Sequence, residues 1–223
     1  MKASHLNMIE QQLRAWGILN HRAVAILNQT DREMFVPDHL QKIAFGDIQL
    51  IVGEQTKGEI MLAPKIIGRI LQTLTELPAF ANDQCVEHIL LVGTGTGYST
   101  AIFSPLAYRV TSIEISQPFS TLASNNLKNA GISNCELVVG NALEVASGKF
   151  DYIILTAATP IVPRIFGNLL NENGSIFAFT GNAPAMQAQL ITKLPNDAWL
   201  TNTYFETVIP VLQGLPKAEE FKF

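Results

Sequence analysis

The stretch that decides the fold is HILLVGTGTGYSTAIFSPLAYRVTSIE, which runs from His88 to Glu114. Its apolar run Ile89–Val92 enters a glycine-rich turn, a helical pattern follows, and a second β-branched run, Val110–Ile113, ends at Glu114. Strand, glycine turn, helix, strand and carboxylate in this order are typical of a βαβ unit that binds a nucleotide. We therefore expect a ligand at the turn, with Glu114 accepting hydrogen bonds from its ribose hydroxyls.

The spacing of the glycines indicates which nucleotide binds. The turn consists of Gly93, Thr94, Gly95, Thr96 and Gly97. A dinucleotide fingerprint, G-x-G-x-x-G, needs glycine where Tyr98 stands, and no Gly-Lys-Ser/Thr sequence follows as a P-loop requires. A G-x-G-x-G turn followed by tyrosine is the usual form in enzymes that use S-adenosylmethionine (SAM). The alternative is a plain tight turn of an α/β protein, which the flanking strand, helix and acid argue against.

Length and composition exclude several classes of protein. The chain has 223 residues and a net charge of −4, which suits a single domain and argues against non-specific nucleic-acid binding. Cys85 and Cys135 form neither a metal-ligand spacing nor a disulfide framework, so we expect reduced thiols, a cytoplasmic location and no metal. The longest uncharged stretch, residues 88–108, contains glycines and a proline, so we expect no membrane span and no membrane partner.

Alternating apolar runs and helical patterns predict an α/β fold with a doubly wound, mostly parallel sheet of seven strands. A helical cap and active-site loop are expected at residues 1–77 and the core sheet at 86–214, within one domain covering 1–223. The predicted strands are Ile89–Val92, Val110–Ile113, Cys135–Val139, Tyr152–Leu155, Ser175–Phe179, Gln187–Lys193 and Tyr204–Val211. The predicted helices cover residues 6–16, a segment capped by Asn20, a short one capped by Asp31, and residues 63–77, 98–102, 118–130 and 163–170.

Ligands of such a sheet bind beyond the carboxyl ends of its parallel strands. Four segments are expected to meet there: the glycine turn, Glu114, Gly140–Asn141 and Thr156–Ala158. These segments therefore form the predicted binding rim.

Four stretches, one of which contains the glycine turn, carry a resemblance to a known family. They are MIEQQLRAWGI (Met8–Ile18) with FVP (Phe35–Pro37), LLVGTGTGYSTA (Leu90–Ala101), FDYIILTAATPIVP (Phe150–Pro163) and IPVL (Ile209–Leu212). Over nearly its whole length the chain resembles the protein-L-isoaspartate O-methyltransferases. The resemblance implies a class I methyltransferase fold, Rossmann-like, with extra N-terminal helices.

The resemblance also implies a reaction and its partners. Family members transfer the methyl group of SAM to the carboxylate of isoaspartyl residues in damaged proteins, which leaves S-adenosyl-L-homocysteine and begins repair. By this resemblance the cofactor is held by the five turn residues, by Glu114, and by Asn141 with Ala142. We expect a monomer whose partner is a protein or peptide substrate. No general base is needed, because a carboxylate with a pKa of about 3.5 is ionised at neutral pH.

The chain departs from the family pattern at three positions. The family serine that is assigned the active-site role corresponds to Leu62, which leaves the catalytic residue unknown and Thr56 a weak candidate for the hydroxyl. A family acid before the glycine turn corresponds to Leu91, and the aspartate of its Gly-Asp-Gly sequence corresponds to Asn141. Each lost hydrogen bond to a charged group is worth roughly 1.5–3 kcal/mol.

Three alternatives to isoaspartyl methylation stay open, and the first two follow from these departures. The first is a methyltransferase of the same fold with a changed acceptor, and the second is a catalytically impaired module that still binds SAM. The third is an NAD-dependent dehydrogenase, which Tyr98 and the family resemblance argue against.

Overall fold

A computed structural model describes residues 2–215 of the chain, apart from the side chain of Asp197. The helices are α1 (Ala3–Asn7), α2 (His21–Gln29), α3 (Pro64–Thr75), α4 (Tyr98–Phe103), α5 (Gln117–Asn129), α6 (Ala142–Val145) and α7 (Arg164–Leu169). The strands are β1 (Leu50–Ile51), β2 (Ile60–Met61), β3 (Val86–Val92), β4 (Ala107–Glu114), β5 (Cys135–Val139), β6 (Phe150–Thr159), β7 (Leu170–Thr180), β8 (Met186–Lys193) and β9 (Trp199–Thr207).

The predicted seven-stranded, mostly parallel sheet is confirmed, with strand order β5-β4-β3-β6-β7-β8-β9. In this order, neighbouring strands from β5 through β4, β3 and β6 to β7 pair in parallel. Strands β8 and β9 pair antiparallel at one edge of the sheet. The central strands are apolar because both of their faces are covered. Along β3, Ile89 and Leu91 face one core, whereas Leu90 and Val92 face the other.

The two cores divide the helices between the faces of the sheet. The larger core joins buried residues of α2, α3 and α4 to the sheet, and the smaller one contains buried residues of α6 and α7. The N-terminal helices and the sheet thus share one continuous core, which positions the segment before α3 above the carboxyl ends of β3 and β6.

The first predicted helix is irregular. It begins as α1, continues as a π-helical turn over Met8–Leu13 and ends in a 3₁₀ turn over Arg14–Trp16, before Gly17 in the left-handed region (φ +77°). Ile9 and Leu13 are buried, whereas Trp16 is 47 % exposed and its ring centroid lies 4.5 Å from the Lys65 ammonium. The short helices after Asn20 and Asp31 are capped by those side chains, as predicted.

Two boundaries near the C-terminal end were wrong. The last strand was expected at Tyr204–Val211 but spans Trp199–Thr207, because the polar residues 201–203 obscure its alternation. The strand expected at Ser175–Phe179 begins earlier, at Leu170, and its register against β6 shifts between the pairs Phe150–Leu170 and Tyr152–Ser175. The charged tail after Pro216 lies outside the described residues.

Within residues 2–215, none of the helices combines the length and the apolar character needed to cross a membrane.

The third glycine of the turn allows α5 to pack closely against it. Gly97 has φ +92°, and a Cβ there would lie 3.3 Å from both Ala123 Cβ and Leu127 Cγ. Gly131 has a similar φ of +73° but open space around the position of a Cβ. Substitutions at Gly97 and Gly131 can therefore distinguish the cost of backbone strain from the cost of disturbed packing.

We expect Gly131→Ala to lower the free energy of unfolding by about 1–2 kcal/mol, the strain of a left-handed alanine. Gly97→Ala should lower it further, because its methyl group also displaces α5. Urea denaturation of both variants measures the difference, and equal losses would contradict the packing role of Gly97.

Candidate active site

A narrow cleft lies where the carboxyl ends of β3, β4 and β6 meet. Its volume is about 90 Å³. The walls come from the glycine turn, the end of β4, the end of β6, the loop before β2 and the chain after β9. The lining residues are Val52, Lys57, Gly58, Glu59, Ile60, Gly93, Gly95, Glu114, Phe119, Thr156, Ala157, Pro210, Val211, Leu212 and Gln213.

Glu114 organises the cleft. Its carboxylate is 8 % exposed, with Oε2 accepting a hydrogen bond from Gly95 N at 2.8 Å and Oε1 from Ser116 N at 3.0 Å. These bonds fix the carboxylate at the tip of β4 and hold the middle of the glycine turn against it. A carboxylate has about four lone-pair sites, so each oxygen keeps capacity for a ligand hydroxyl.

The polar residues of the glycine turn divide into two roles. Thr94 Oγ1 hydrogen-bonds Ser112 Oγ at 2.7 Å beneath the turn, so Thr94 supports the turn and does not line the cleft. Thr96 Oγ1 is buried and has no partner among the described residues. Gly95 has φ +55° and open space where a Cβ would stand, so its backbone is accessible from the cleft.

Thr156 joins the end of β6 to the start of the turn. Its hydroxyl donates to Gly93 O at 2.7 Å and to Val92 O at 3.1 Å. A Cβ on Gly93 would lie 2.4 Å from the same hydroxyl oxygen, so only glycine fits there. The predicted meeting of the glycine turn with residues 156–158 is therefore present.

Asn141 stands beside the cleft without lining it. Its Oδ1 accepts from Leu143 N at 3.0 Å and caps α6, while its Nδ2 donates to Gly214 O at 3.1 Å. Ala142 is buried as the first residue of α6. The Asn141 amide therefore fastens the chain after β9 next to β5, and its predicted contact with a cofactor stays a prediction.

The loop over residues 52–59, here called the strap, lies across the cleft. Within the strap, Glu54 N donates a hydrogen bond to Glu59 Oε2 at 2.6 Å, which ties the two sides of the loop together. Lys57 O accepts from Gln213 Nε2, and a Cβ on Gly58 would lie 2.7 Å from Pro210 Cβ. The strap therefore contacts the chain after β9, and together they close the cleft.

A second, smaller cavity of about 30 Å³ adjoins the cleft and shares Ile60, Gly93, Gly95 and Thr156 with it. Its lining residues are Ile60, Met61, Leu62, Gly93, Thr94, Gly95, Thr96, Tyr98, Ser99 and Thr156. Leu62, at the position expected for an active-site hydroxyl, is 6 % exposed in its wall. Thr56 is exposed on the strap and lines neither cavity, so this structure does not bring the weaker candidate to the site.

Sequence reasoning missed Arg32 and the role of Tyr98. Arg32 is 0 % exposed and donates from Nη2 to Leu62 O at 3.0 Å, so it holds the wall of the smaller cavity in place. Its guanidinium carbon lies 4.9 Å from the centroid of the Tyr98 ring. In the sequence, Arg32 stands between the helix cap Asp31 and the apolar FVP sequence, which could have indicated that the arginine is buried. The prediction used only its neighbour, Asp31.

Comparisons with known proteins agree with this geometry. Residues 3–214 match the family described as protein-L-isoaspartate(D-aspartate) O-methyltransferase (PCMT). Protein-L-isoaspartate O-methyltransferases from Methanoculleus marisnigri and Petrotoga mobilis are each 33 % identical, over 78 % and 84 % of this chain and 76 % and 84 % of their own.

A solved structure shares the fold. It is assigned as a protein-L-isoaspartate O-methyltransferase from Plasmodium falciparum in complex with S-adenosyl-L-homocysteine. It superimposes with a TM-score of 0.78 at 20 % identity, over 95 % of this chain and 99 % of its own. From the family match and the curated relatives, this chain belongs to the protein-L-isoaspartate(D-aspartate) O-methyltransferase family.

Proposed function

We propose that this protein is a SAM-dependent carboxyl O-methyltransferase that acts on isoaspartyl residues of proteins or peptides. The observation that carries the proposal is the buried Glu114 carboxylate, hydrogen-bonded to Gly95 N at the carboxyl end of the parallel sheet. Such a carboxylate beside an accessible glycine backbone is suited to the ribose of a nucleoside cofactor.

The residues of the cleft fit SAM in chemistry. Glu114 retains acceptor capacity for the ribose hydroxyls, and Gly95 leaves space for close approach to its backbone. The volume of about 90 Å³ is smaller than the roughly 300–1,000 Å³ of ordinary ligand pockets. Binding therefore requires the strap and residues 210–213 to separate from the glycine turn.

In the proposed reaction, the protein aligns the acceptor carboxylate with the methyl group of SAM and excludes water from the site. When bound, SAM offers an electrophilic methyl group on its sulfonium. The acceptor carboxylate is already ionised at neutral pH, so the protein needs no general base and acts by orientation. In this proposal, Glu114 and the glycine turn hold the nucleoside end, Thr156 keeps the turn rigid, and the strap covers the site.

A second candidate is a methyltransferase of the same fold that takes a different acceptor. The wall expected to carry a hydroxyl is built from Ile60, Met61 and Leu62, whose side chains offer no hydrogen bond to a carboxylate. This apolar wall favours an acceptor that presents less polar surface next to its nucleophile.

The experiment that tests the proposal uses labelled SAM with an isoaspartyl peptide and its aspartyl twin. Methyl transfer to the isoaspartyl peptide alone is expected. Transfer to neither peptide, with S-adenosylhomocysteine still bound in calorimetry, would overturn the acceptor assignment and favour the second candidate. No binding of S-adenosylhomocysteine would overturn both.

Replacing Leu62 tests whether the apolar wall limits methyl transfer to the isoaspartyl peptide. We expect Leu62→Ser to raise kcat/KM for the isoaspartyl peptide about tenfold, since one hydrogen bond to a charged group is worth roughly 1.5–3 kcal/mol. Leu122→Ser, at a half-exposed leucine of α5, serves as the control and should leave kcat/KM unchanged. An unchanged rate in Leu62→Ser would show that Leu62 does not limit this acceptor.

Removing the carboxylate at the tip of β4 tests the ribose role. Glu114→Ala should weaken S-adenosylhomocysteine binding at least tenfold, because it removes an acceptor and releases Gly95 N. Glu136→Ala, at an exposed acid of neighbouring β5, should leave the dissociation constant unchanged. Calorimetry measures the dissociation constant of S-adenosylhomocysteine for both variants. Equal affinities in the two variants would refute the role of Glu114.

A further inference from the structure

The outer edge of β5 offers backbone groups for a further strand. Strand β5 ends the sheet on the side opposite β9, and among residues 2–215 it pairs only with β4. At its two ends, Asn134 O accepts a hydrogen bond from β4 at 2.9 Å and Gly140 N donates one to β4 at 2.9 Å. Backbone groups alternate along a strand, so the even-numbered positions point to β4 and the odd-numbered ones point away. The outward positions are Cys135, Leu137 and Val139.

A groove of about 540 Å³ lies beside this edge, between β5 and the last turn of α5. Its apolar wall comes from Leu127, Ile132, Cys135 and Leu137, which all belong to the larger core or pack against it. Side chains of a sheet alternate between its faces, and residues directly opposite each other share a face. A strand added at this edge would therefore direct every second side chain into the groove.

The described part of the chain ends beside the same strand. Asn141, two residues after β5, donates from Nδ2 to Gly214 O at 3.1 Å, and a Cβ on Gly214 would lie 3.0 Å from Asn141 Cγ. The sequence continues with PKAEEFKF, residues 216–223. Eight extended residues span about 26 Å, whereas the five residues of β5 span about 17 Å. This segment is therefore long enough to follow β5 from its carboxyl end to its amino end.

We propose that residues 216–223 dock on the outer edge of β5 as an antiparallel strand and thereby anchor residues 210–213, which help to close the cleft. The direction is antiparallel because the segment starts at the carboxyl end of β5. Phe221 and Phe223 are two positions apart, so both enter the groove, while Glu220 and Lys222 lie on the other face. Burial of the two rings offsets the entropy lost when the segment becomes ordered.

Charge selects the register of this pairing. With Phe221 opposite Leu137, Lys222 is opposite Glu136, the exposed acid of β5. A shift of two residues would instead set Glu220 opposite Glu136, and like charges directly opposite each other destabilise a sheet. The sequence of the segment therefore favours the pairing in which its lysine meets the acid.

Hydrogen exchange of single amides, measured by NMR, tests the docking. Ending the chain after Leu215 should speed exchange at Leu137 and Val139 about tenfold, which corresponds to the loss of one buried phenylalanine side chain. The amides of Glu136 and Val138 point to β4, so they are internal controls and should exchange as before.

Substitutions in the full-length chain separate docking from the effect of truncation. Phe221→Ser combined with Phe223→Ser should speed exchange at Leu137 as much as truncation does. Ala218→Ser, on the face that points away from the groove, is the matched control and should leave that exchange unchanged. Leu212 N donates to Ala158 O at 2.8 Å, and its exchange should also rise in the double variant because residues 210–213 lose their anchor.

Several outcomes would overturn the proposal. Equal exchange at Leu137 in the full-length and shortened chains would rule out docking, and faster exchange at Glu136 as well would indicate a loosened strand instead. Exchange that slows as the protein concentration rises would assign the edge of β5 to a second copy of the chain. Faster exchange at Leu137 with no change at Leu212 would overturn the anchoring of residues 210–213.

A charge exchange tests the register. Lys222→Glu should speed exchange at Leu137, because it sets like charges opposite each other, and adding Glu136→Lys should restore the slow exchange. A double variant that exchanges as fast as Lys222→Glu alone would overturn the pairing of these two residues.

Discussion

The site depends on one short hydrogen bond, from Gly95 N to the Glu114 carboxylate. Glu114 is buried at the end of β4, and its partner lies in a turn that follows β3. Because β3 and β4 pair in parallel, their carboxyl ends bring the acid and the turn to the same rim. A buried carboxylate is costly unless backbone donors satisfy it, so the turn and the acid stabilise each other. The rest of the site is arranged around this contact.

Two segments outside the parallel strands complete that rim. The strap reaches it from before β2, and residues 210–213 reach it after β9, where Leu212 N donates to Ala158 O at 2.8 Å. They meet at Gly58 and Pro210, and Asn141 holds the second segment through Gly214 O. The cleft at Glu114 therefore has a floor formed by the ends of parallel strands and a cover made from two distant parts of the chain.

Periodicity and turn residues predicted most of the fold, because β3 and β6 contain unbroken apolar runs, β4 is rich in β-branched residues, and glycines follow several of the helices. The edge strand β9 was misplaced, since its exposed polar residues give little alternation. At the site, the glycine turn and Glu114 are local signals. Arg32 was missed because its importance comes from burial against Tyr98, whose sequence position is 66 residues away. The capping role of Asn141 depends on α6, a helix too short for a periodic signal.

The segment at Leu62 follows a small hairpin that is separate from the main sheet. Strands β1 and β2 pair only with each other, and β2 contributes Ile60 and Met61 to the wall of the smaller cavity, next to Leu62. Substitutions in this hairpin therefore leave the hydrogen bonds of the seven-stranded sheet untouched. Met61 and Leu62 line the smaller cavity but not the cleft at Glu114, so substitutions at these two positions reshape one space and leave the walls of the other unchanged.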